Sequence, residues 1–206
     1  MRPLSLHLLR PLRWLLRFRH RCGYGIHSPF AFGFVTGVVY ETAAYYGYER
    51  LHRALRVKRA SRRPSRQRQG HGSPPPPTLR EKDYRLLMRV ANFAQPQRSL
   101  IHPAGDPLVG LALHLGCTHT LPQEGGGEVN LIYTDAAAAD PAALLDRLSE
   151  GGVLIVADTV TNTARRDAWR RVKRHPKAQV TFDLADFGIA FARTDLQRQH
   201  YLVNYF

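Results

Sequence analysis

Two carboxylates stand where apolar runs give way to loops: Asp135 closes Val129 to Thr134, and Asp158 closes Val153 to Ala157. Two neighbouring hard oxygen ligands are the beginning of a divalent-cation site. Thr159 or Asn162 would have to complete it, because such ions take about six oxygens or more. The plainer role for both aspartates is to cap the helices that follow. His102, behind the apolar pair Leu100-Ile101, is a candidate general base at the end of a strand, although a lone histidine is more often structural or exposed. His27 falls in a Gly-Ile-His-Ser-Pro segment that reads as helix punctuation. No Ser/His/Asp or Cys/His set has a workable spacing, so Asp135, Asp158 and His102 are the catalytic candidates and no metal site is assigned.

These residues need elements to position them. Leu100-Ile101, Val129 to Thr134, Val153 to Ala157, Val180 to Leu184 and Gly188 to Arg193 read as strands. Between them, helices are expected over Tyr84 to Phe93, Leu108 to Cys117, Pro141 to Leu148 and Thr163 to His175, with Gly151-Gly152 as a turn. Strands that are apolar on both faces and alternate with helices imply a mainly parallel sheet covered on both sides. The last two strands read as an antiparallel pair. In such a sheet, ligands bind beyond the carboxyl ends of the strands. The segments that arrive there are His102 to Asp106, Asp135 and Asp158.

Ahead of this region, residues 4–20 carry Leu8, Leu12, Leu15 and Leu16 on one helical stripe and Arg10, Arg13 and Arg17 on another. That stripe either packs on the domain or lies on an anionic membrane surface with Trp14 and Phe18 as anchors. Ser28 caps a helix with Pro29 at its first position, and an aromatic-rich stretch to Tyr48 follows. Residues 49–60 continue as a basic helix. The chain thus divides into a helical extension (1–60), a basic Pro-rich linker (61–78) and an α/β domain (79–206).

Charge follows the same division. The 206 residues carry a net charge of +14, yet residues 1–70 set fifteen basic side chains against only Glu41 and Glu49. Residues 71–206 are nearly balanced, with fifteen basic and fourteen acidic side chains. Arg56, Lys58, Arg59, Arg62, Arg63, Arg66 and Arg68 form an arm able to neutralise the phosphates of nucleic acid or anionic lipid without reading sequence. It contains no aromatic residue on which a base could stack. A solvated linker in an arginine-rich chain is the alternative. No apolar run reaches the roughly 18 residues of a membrane span. Two cysteines, Cys22 and Cys117, exclude a disulfide framework and suit a reducing, cytoplasmic compartment.

Several segments together resemble a Bacteroidetes-type group of class I S-adenosylmethionine-dependent methyltransferases. Tyr24-Gly25-Ile26-His27-Ser28-Pro29-Phe30 resembles the group's opening motif, and Tyr45-Tyr46 its tyrosine pair. Gln95-Pro96 resembles the lead into the first strand, Leu131 to Asp135 and Val153 to Asp158 two strand motifs, and Ala168-Trp169 to Pro176 the helix that follows. Asp183-Leu184, Phe187 to Phe191 and Gln199-His200-Tyr201 resemble the closing hairpin and tail. The resemblance implies a Rossmann-like fold with a reversed last strand, S-adenosylmethionine above the first two strands, and methyl transfer to an unknown acceptor. In cation-dependent relatives, positions like Asp135 and Asp158 help hold magnesium.

The chain departs from the group where that cofactor would sit. The glycine-rich turn after the first strand is replaced by His102-Pro103-Ala104-Gly105-Asp106-Pro107, leaving Ala104, Gly105, Asp106 and Gly110 as cofactor-binding candidates. Pro103 and Pro107 bring no amide donor. Only eleven residues, Thr118 to Glu128, separate Cys117 from Val129, too few for a second strand, a helix and a third strand. His119-Thr120-Leu121 is the remnant of the second strand, and no acidic residue ends it to hold the cofactor's ribose. The expectation is a shortened fold missing an edge of its sheet, a methyltransferase-family protein whose catalysis is weak or absent. The alternative is a non-enzymatic binding or scaffolding protein of the same fold that uses its basic arm for an anionic partner.

Overall fold

The computed structural model describes residues 23–61, 79–103, 105–123, 126–138 and 140–205. The N-terminal leucine-arginine stripe, Cys22 and most of the basic linker lie outside them.

The first described helix follows the punctuation in the sequence. The Ser28 side chain accepts from the Ala31 amide at 3.3 Å, and Pro29 opens helix α1 (Pro29–Phe34). A π-helical turn (Val35–Val39) extends it and buries Val35, Val38 and Val39. Helix α2 (Gly47–Ser61) is the expected basic helix, with Leu51 and Leu55 buried. Helix α3 (Glu81–Ala94) buries Tyr84, Leu87, Val90 and Ala91 and ends at Gln95 in the left-handed conformation.

Strand β1 (Arg98–His102) leads to helix α4 (Pro107–Gly116), the two-residue strand β2 (Leu121–Pro122) and strand β3 (Val129–Asp135). Strand β4 (Leu148–Ala157), helix α5 (Thr163–Arg174), and strands β5 (Val180–Asp183), β6 (Phe187–Phe191) and β7 (Gln199–Leu202) complete the chain. The seven strands lie in the order β2-β1-β3-β4-β6-β5-β7. The β2-β1-β3-β4 pairs are parallel, β6 runs antiparallel to both β4 and β5, and β7 is parallel to β5. This is a Rossmann-like α/β fold.

Alternate residues of the central strands face two cores. Leu131, Val153 and Ile155 join Phe182, Phe187 and Phe191 beneath α1, α2, α3 and α4. Ile132, Leu154 and Val156 face Trp169 and Val172 of α5 on the other side. Burial on both faces explains why these strands are apolar throughout.

Three expectations need correction. Pro141 to Leu148 is not a helix: a short 3-10 turn (Ala143–Arg147) leads straight into β4, whose ladder already starts at Leu148. Gly151-Gly152 is not a turn before the strand but lies inside it. There the register jumps from Val129 opposite Leu148 to Leu131 opposite Val153, and Gly151 takes φ +75°, a conformation that favours glycine. Finally, the reversed strand is β6 rather than the last one. The tail returns as β7 and lengthens the sheet on the side away from the reduced β2.

Candidate functional site

The chain leaves β1 for β2 on one side and then crosses to β3 on the other. The carboxyl ends of β1 and β3 therefore flank the crevice where open α/β sheets take ligands. His102 is exposed at the end of β1, a cis peptide joins it to Pro103, and Gly105 is exposed behind it. Ala104 lies outside the described residues. Gly110, on α4, faces Ile101, and a Cβ there would sit 3.5 Å from the isoleucine, an ordinary contact.

Asp106 is the hub of this turn. Its Oδ1 accepts from the Leu108 amide at 3.1 Å and so caps α4. Its Oδ2 receives Lys58 Nζ at 2.6 Å and the Tyr84 hydroxyl. Burial alone would raise the Asp106 pKa. The bonds from Lys58, Tyr84 and the Leu108 amide outweigh it and hold the carboxyl below its ordinary value. Lys58 is thus anchored by α2 into the turn, whereas Arg56 and Arg59 on the same helix are exposed. Arg62, Arg63, Arg66 and Arg68 lie outside the described residues.

Asp135 and Asp158 are brought together, but around a cation of the chain itself. Arg165 Nη1 stands 2.7 Å from Asp135 Oδ1 and 2.7 Å from Asp158 Oδ2. Asp135 also accepts from the Ala137 amide at 2.6 Å, and Asp158, at φ +54°, accepts from the Thr161 hydroxyl. Neither caps α5; Asn162 does so, accepting from the Arg165 amide at 2.9 Å. Thr159 donates to the Ala185 carbonyl at 2.8 Å. No group of three or more possible metal ligands occurs among the described residues. On β3, Tyr133 is kept protonated first by burial and then by the Asp135 charge, which both raise its pKa.

A third ion pair closes the far side of the same edge. Arg80 links Asp83, at 3.0 Å, to Asp186 in the β5–β6 turn, at 2.9 Å. At the other end of α4, Cys117 and His119 meet at 3.3 Å, a pairing two residues apart in sequence. The thiol is buried and also lies 3.5 Å from the Pro96 carbonyl, so it packs rather than reacts.

Sequence reasoning missed Tyr84 and Arg165 at this edge, and counted Lys58 among the cations of the basic arm. Arg165 did leave a signal: it sits in the first turn of α5, where no acidic residue offsets the positive end of the helix. Such a residue needs carboxylates nearby. Lys58 left none, being 48 positions from its partner.

A nucleoside-bearing cofactor in this crevice needs amide donors in the β1–α4 turn and a carboxylate after β2. Pro103 and Pro107 bring no amide donor, and the Leu108 amide is held by Asp106. Strand β2 ends at Pro122-Gln123, and Glu124, the next acid in the chain, lies outside the described residues. Among the described residues, two prolines and the capped Leu108 amide leave this turn short of donors for S-adenosylmethionine, and none supplies the carboxylate after β2.

Fold and site define an α/β Rossmann-like protein whose carboxylates at this edge are paired with its own cations, Asp106 with Lys58, Asp135 and Asp158 with Arg165, and Asp83 and Asp186 with Arg80. No family model and no curated protein matches the chain. Among solved structures it is similar to a methyltransferase from Geobacter sulfurreducens (12% identity over 81% of this chain and 97% of that one, TM-score 0.48). It is also similar to the SAH-bound methyltransferase PaMTH1 of Podospora anserina (12%, 74% and 98%, TM-score 0.42). A third likeness is to the SAM complex of the O-methyltransferase TomG of Streptomyces achromogenes (13%, 73% and 91%, TM-score 0.35). The fold class rests on the strand order, not on these likenesses.

Proposed function

We propose that this chain is a divergent, shortened relative of the class I S-adenosylmethionine-dependent methyltransferases that has lost methyl transfer and serves as a binding or scaffolding protein. The order of the sheet with β6 reversed, and the opening and closing motifs, support the ancestry. One observation carries the loss: Asp106, held in place by Lys58 and the Tyr84 hydroxyl, takes the Leu108 amide in the first strand-to-helix turn, where a cofactor would need free amide donors. The Arg165 bridge between Asp135 and Asp158 points the same way, since a guanidinium stands where a metal would have to coordinate.

Calorimetric titration and thermal shift of the full chain with S-adenosylmethionine test this. The expected result is no saturable heat and no shift of the melting midpoint at millimolar cofactor. Saturable micromolar binding would overturn the proposal and restore an enzyme acting on an unknown acceptor. The binding role draws on the exposed Arg56 and Arg59 of α2, which lead into Arg62, Arg63, Arg66 and Arg68 and suit an anionic partner such as nucleic acid or an anionic membrane surface.

A further inference from the structure

Helix α5 buries one face and leaves the other almost wholly cationic. Ala168, Trp169 and Val172 are buried on the sheet side. Its twelve residues hold Arg165, Arg166, Arg170, Arg171, Lys173 and Arg174 against a single acid, Asp167. The rest of residues 71–206 carries nine basic and thirteen acidic side chains, so an arginine-rich composition does not account for this cluster.

Carboxylates of the chain absorb only part of this charge. Arg165 is taken up by Asp135 and Asp158. Arg170 meets Asp167, and Arg171 meets Asp140 at 3.4 Å, but both pairs are largely open to solvent and therefore weak. Arg166 reaches the Thr163 hydroxyl at 3.4 Å, and Arg174 makes no ion pair among the described residues. Arg166, Arg170 and Arg174 are all exposed and stand at i, i+4 and i+8, a single stripe along the helix. Like charges at that spacing oppose the helix, and Arg166 also stands near its positive end. The stripe works against the fold that carries it, and an anion outside the chain would offset that.

Guanidinium groups match phosphate in a planar, two-bond geometry. Successive arginines of the stripe are about 6 Å apart along the helix. A DNA duplex presents a phosphate about every 1.7 Å of its axis, so a straight stripe meets several at once. A lipid surface suits it less. Trp169 is turned inward at 3% exposure, and α5 exposes no large apolar side chain to insert among lipids. RNA readers add stacking on unpaired bases and contacts to the 2′-hydroxyl, whereas this stripe presents guanidiniums alone. We propose that the outer face of α5 docks on the phosphate backbone of double-stranded DNA, without reading sequence, through Arg166, Arg170 and Arg174. It lies across the sheet from α2, whose Leu51 and Leu55 pack in the opposite core, and is therefore separate from the surface that bears Arg56 and Arg59. The site is independent of whether the β1–β3 crevice takes a cofactor.

The test is fluorescence anisotropy of a short labelled DNA duplex with the full chain, over a series of salt concentrations. Arg166→Gln, Arg170→Gln and Arg174→Gln should each lower the slope of log affinity against log salt by about one, and together weaken binding at least about tenfold at low salt. Arg98→Gln, which removes an exposed charge at the start of β1, should stay within about twofold of wild type with an unchanged slope. The triple variant should keep the wild-type melting midpoint or exceed it, because it relieves repulsion along the stripe. Wild-type affinity and slope in the triple variant would overturn the inference, as would an equal loss in Arg98→Gln. So would a fallen melting midpoint, which would assign the arginines to the fold, or tighter binding of an RNA duplex or of phosphatidylserine vesicles than of DNA.

Discussion

Asp106 shows how one residue can look like a ligand site and serve as a joint. A carboxylate behind a strand end, in a turn containing glycine, matches the position of a cofactor contact; what defines its role is a lysine supplied by another helix. The Lys58–Asp106 pair is largely enclosed, with the two side chains 22% and 25% exposed, and Tyr84 completes it from the core. Replacing Lys58 with Met should therefore cost about 1–2 kcal/mol at neutral pH, the lower range for a charge-assisted bond with some solvent access. The sign of its pH dependence follows from the lowered Asp106 pKa. Asp106 contributes stability above the ordinary carboxylate range and loses it as pH falls through its depressed folded value. The gap between wild type and Lys58→Met in urea unfolding should thus be full near neutrality and narrow below about pH 4. A gap that does not change with pH would mean that the pair is not what the lysine contributes. None of this was legible locally. Asp135, Asp158 and His102 could be placed at strand ends because strands end where apolar runs do, but the partners that decide their chemistry come from distant helices.

Elements were more legible than sites, and where they failed the reason is length. Ser28-Pro29, the basic α2 and the alternation of β1, α4, β3, β4 and α5 follow from caps and periodicity that act over a few residues. Strand β7 was missed because it has four residues at the sheet edge, half of them exposed, and thus no apolar run. It pairs with β5 and stacks Tyr201 on Phe182 with centroids 5.4 Å apart. Pro141 to Leu148 misled in the opposite sense, since its leucines suit a helix but Leu148 is claimed by the ladder to Val129. A close approach between helices is also invisible to periodicity. Gly116, at the end of α4, lies against α3 so closely that a Cβ would stand 2.1 Å from the Met88 carbonyl oxygen and 2.9 Å from Ala91 Cβ. Backbone cannot move aside as a side-chain tip can. Gly116→Ala should therefore destabilise by about 3 kcal/mol, the upper part of the range for overpacking. Gly110→Ala, whose Cβ meets Ile101 at 3.5 Å, should be near neutral. Comparable melting midpoints for the two variants would refute this packing.

For the whole molecule, the charge and the core divide the chain in different places. The excess of positive charge belongs to residues 1–70, so an anionic partner drawn by net charge should be held by that segment, apart from the local stripe on α5. Lys58 is committed to Asp106, which leaves the exposed Arg56 and Arg59 with Arg62, Arg63, Arg66 and Arg68. Replacing those last four with Gln should move elution from heparin to clearly lower salt, because each phosphate-like contact adds to the salt dependence. Unchanged elution would remove the arm from the binding role. The core places its own boundary elsewhere. Phe34, Val35 and Leu51 are fully buried, and the Phe34 ring lies 4.6 Å from Phe182 and 5.0 Å from Phe191, centroid to centroid. The extension thus covers one face of the sheet instead of hanging from it. Each large apolar side chain so buried contributes about 1.5–3 kcal/mol. Removing Ala31, Phe34, Val35, Val38, Val39, Leu51 and Leu55 together would forfeit a sum comparable to the whole stability of a domain, about 5–15 kcal/mol. Residues 79–206 expressed alone should therefore keep secondary structure but lose cooperative unfolding and bind a hydrophobic dye, although the sequence reads them as the domain proper. A sharp thermal transition with a native near-ultraviolet circular dichroism spectrum in that fragment would show that the helices only decorate the sheet, and that the Lys58 contact at Asp106 was added to a fold already complete.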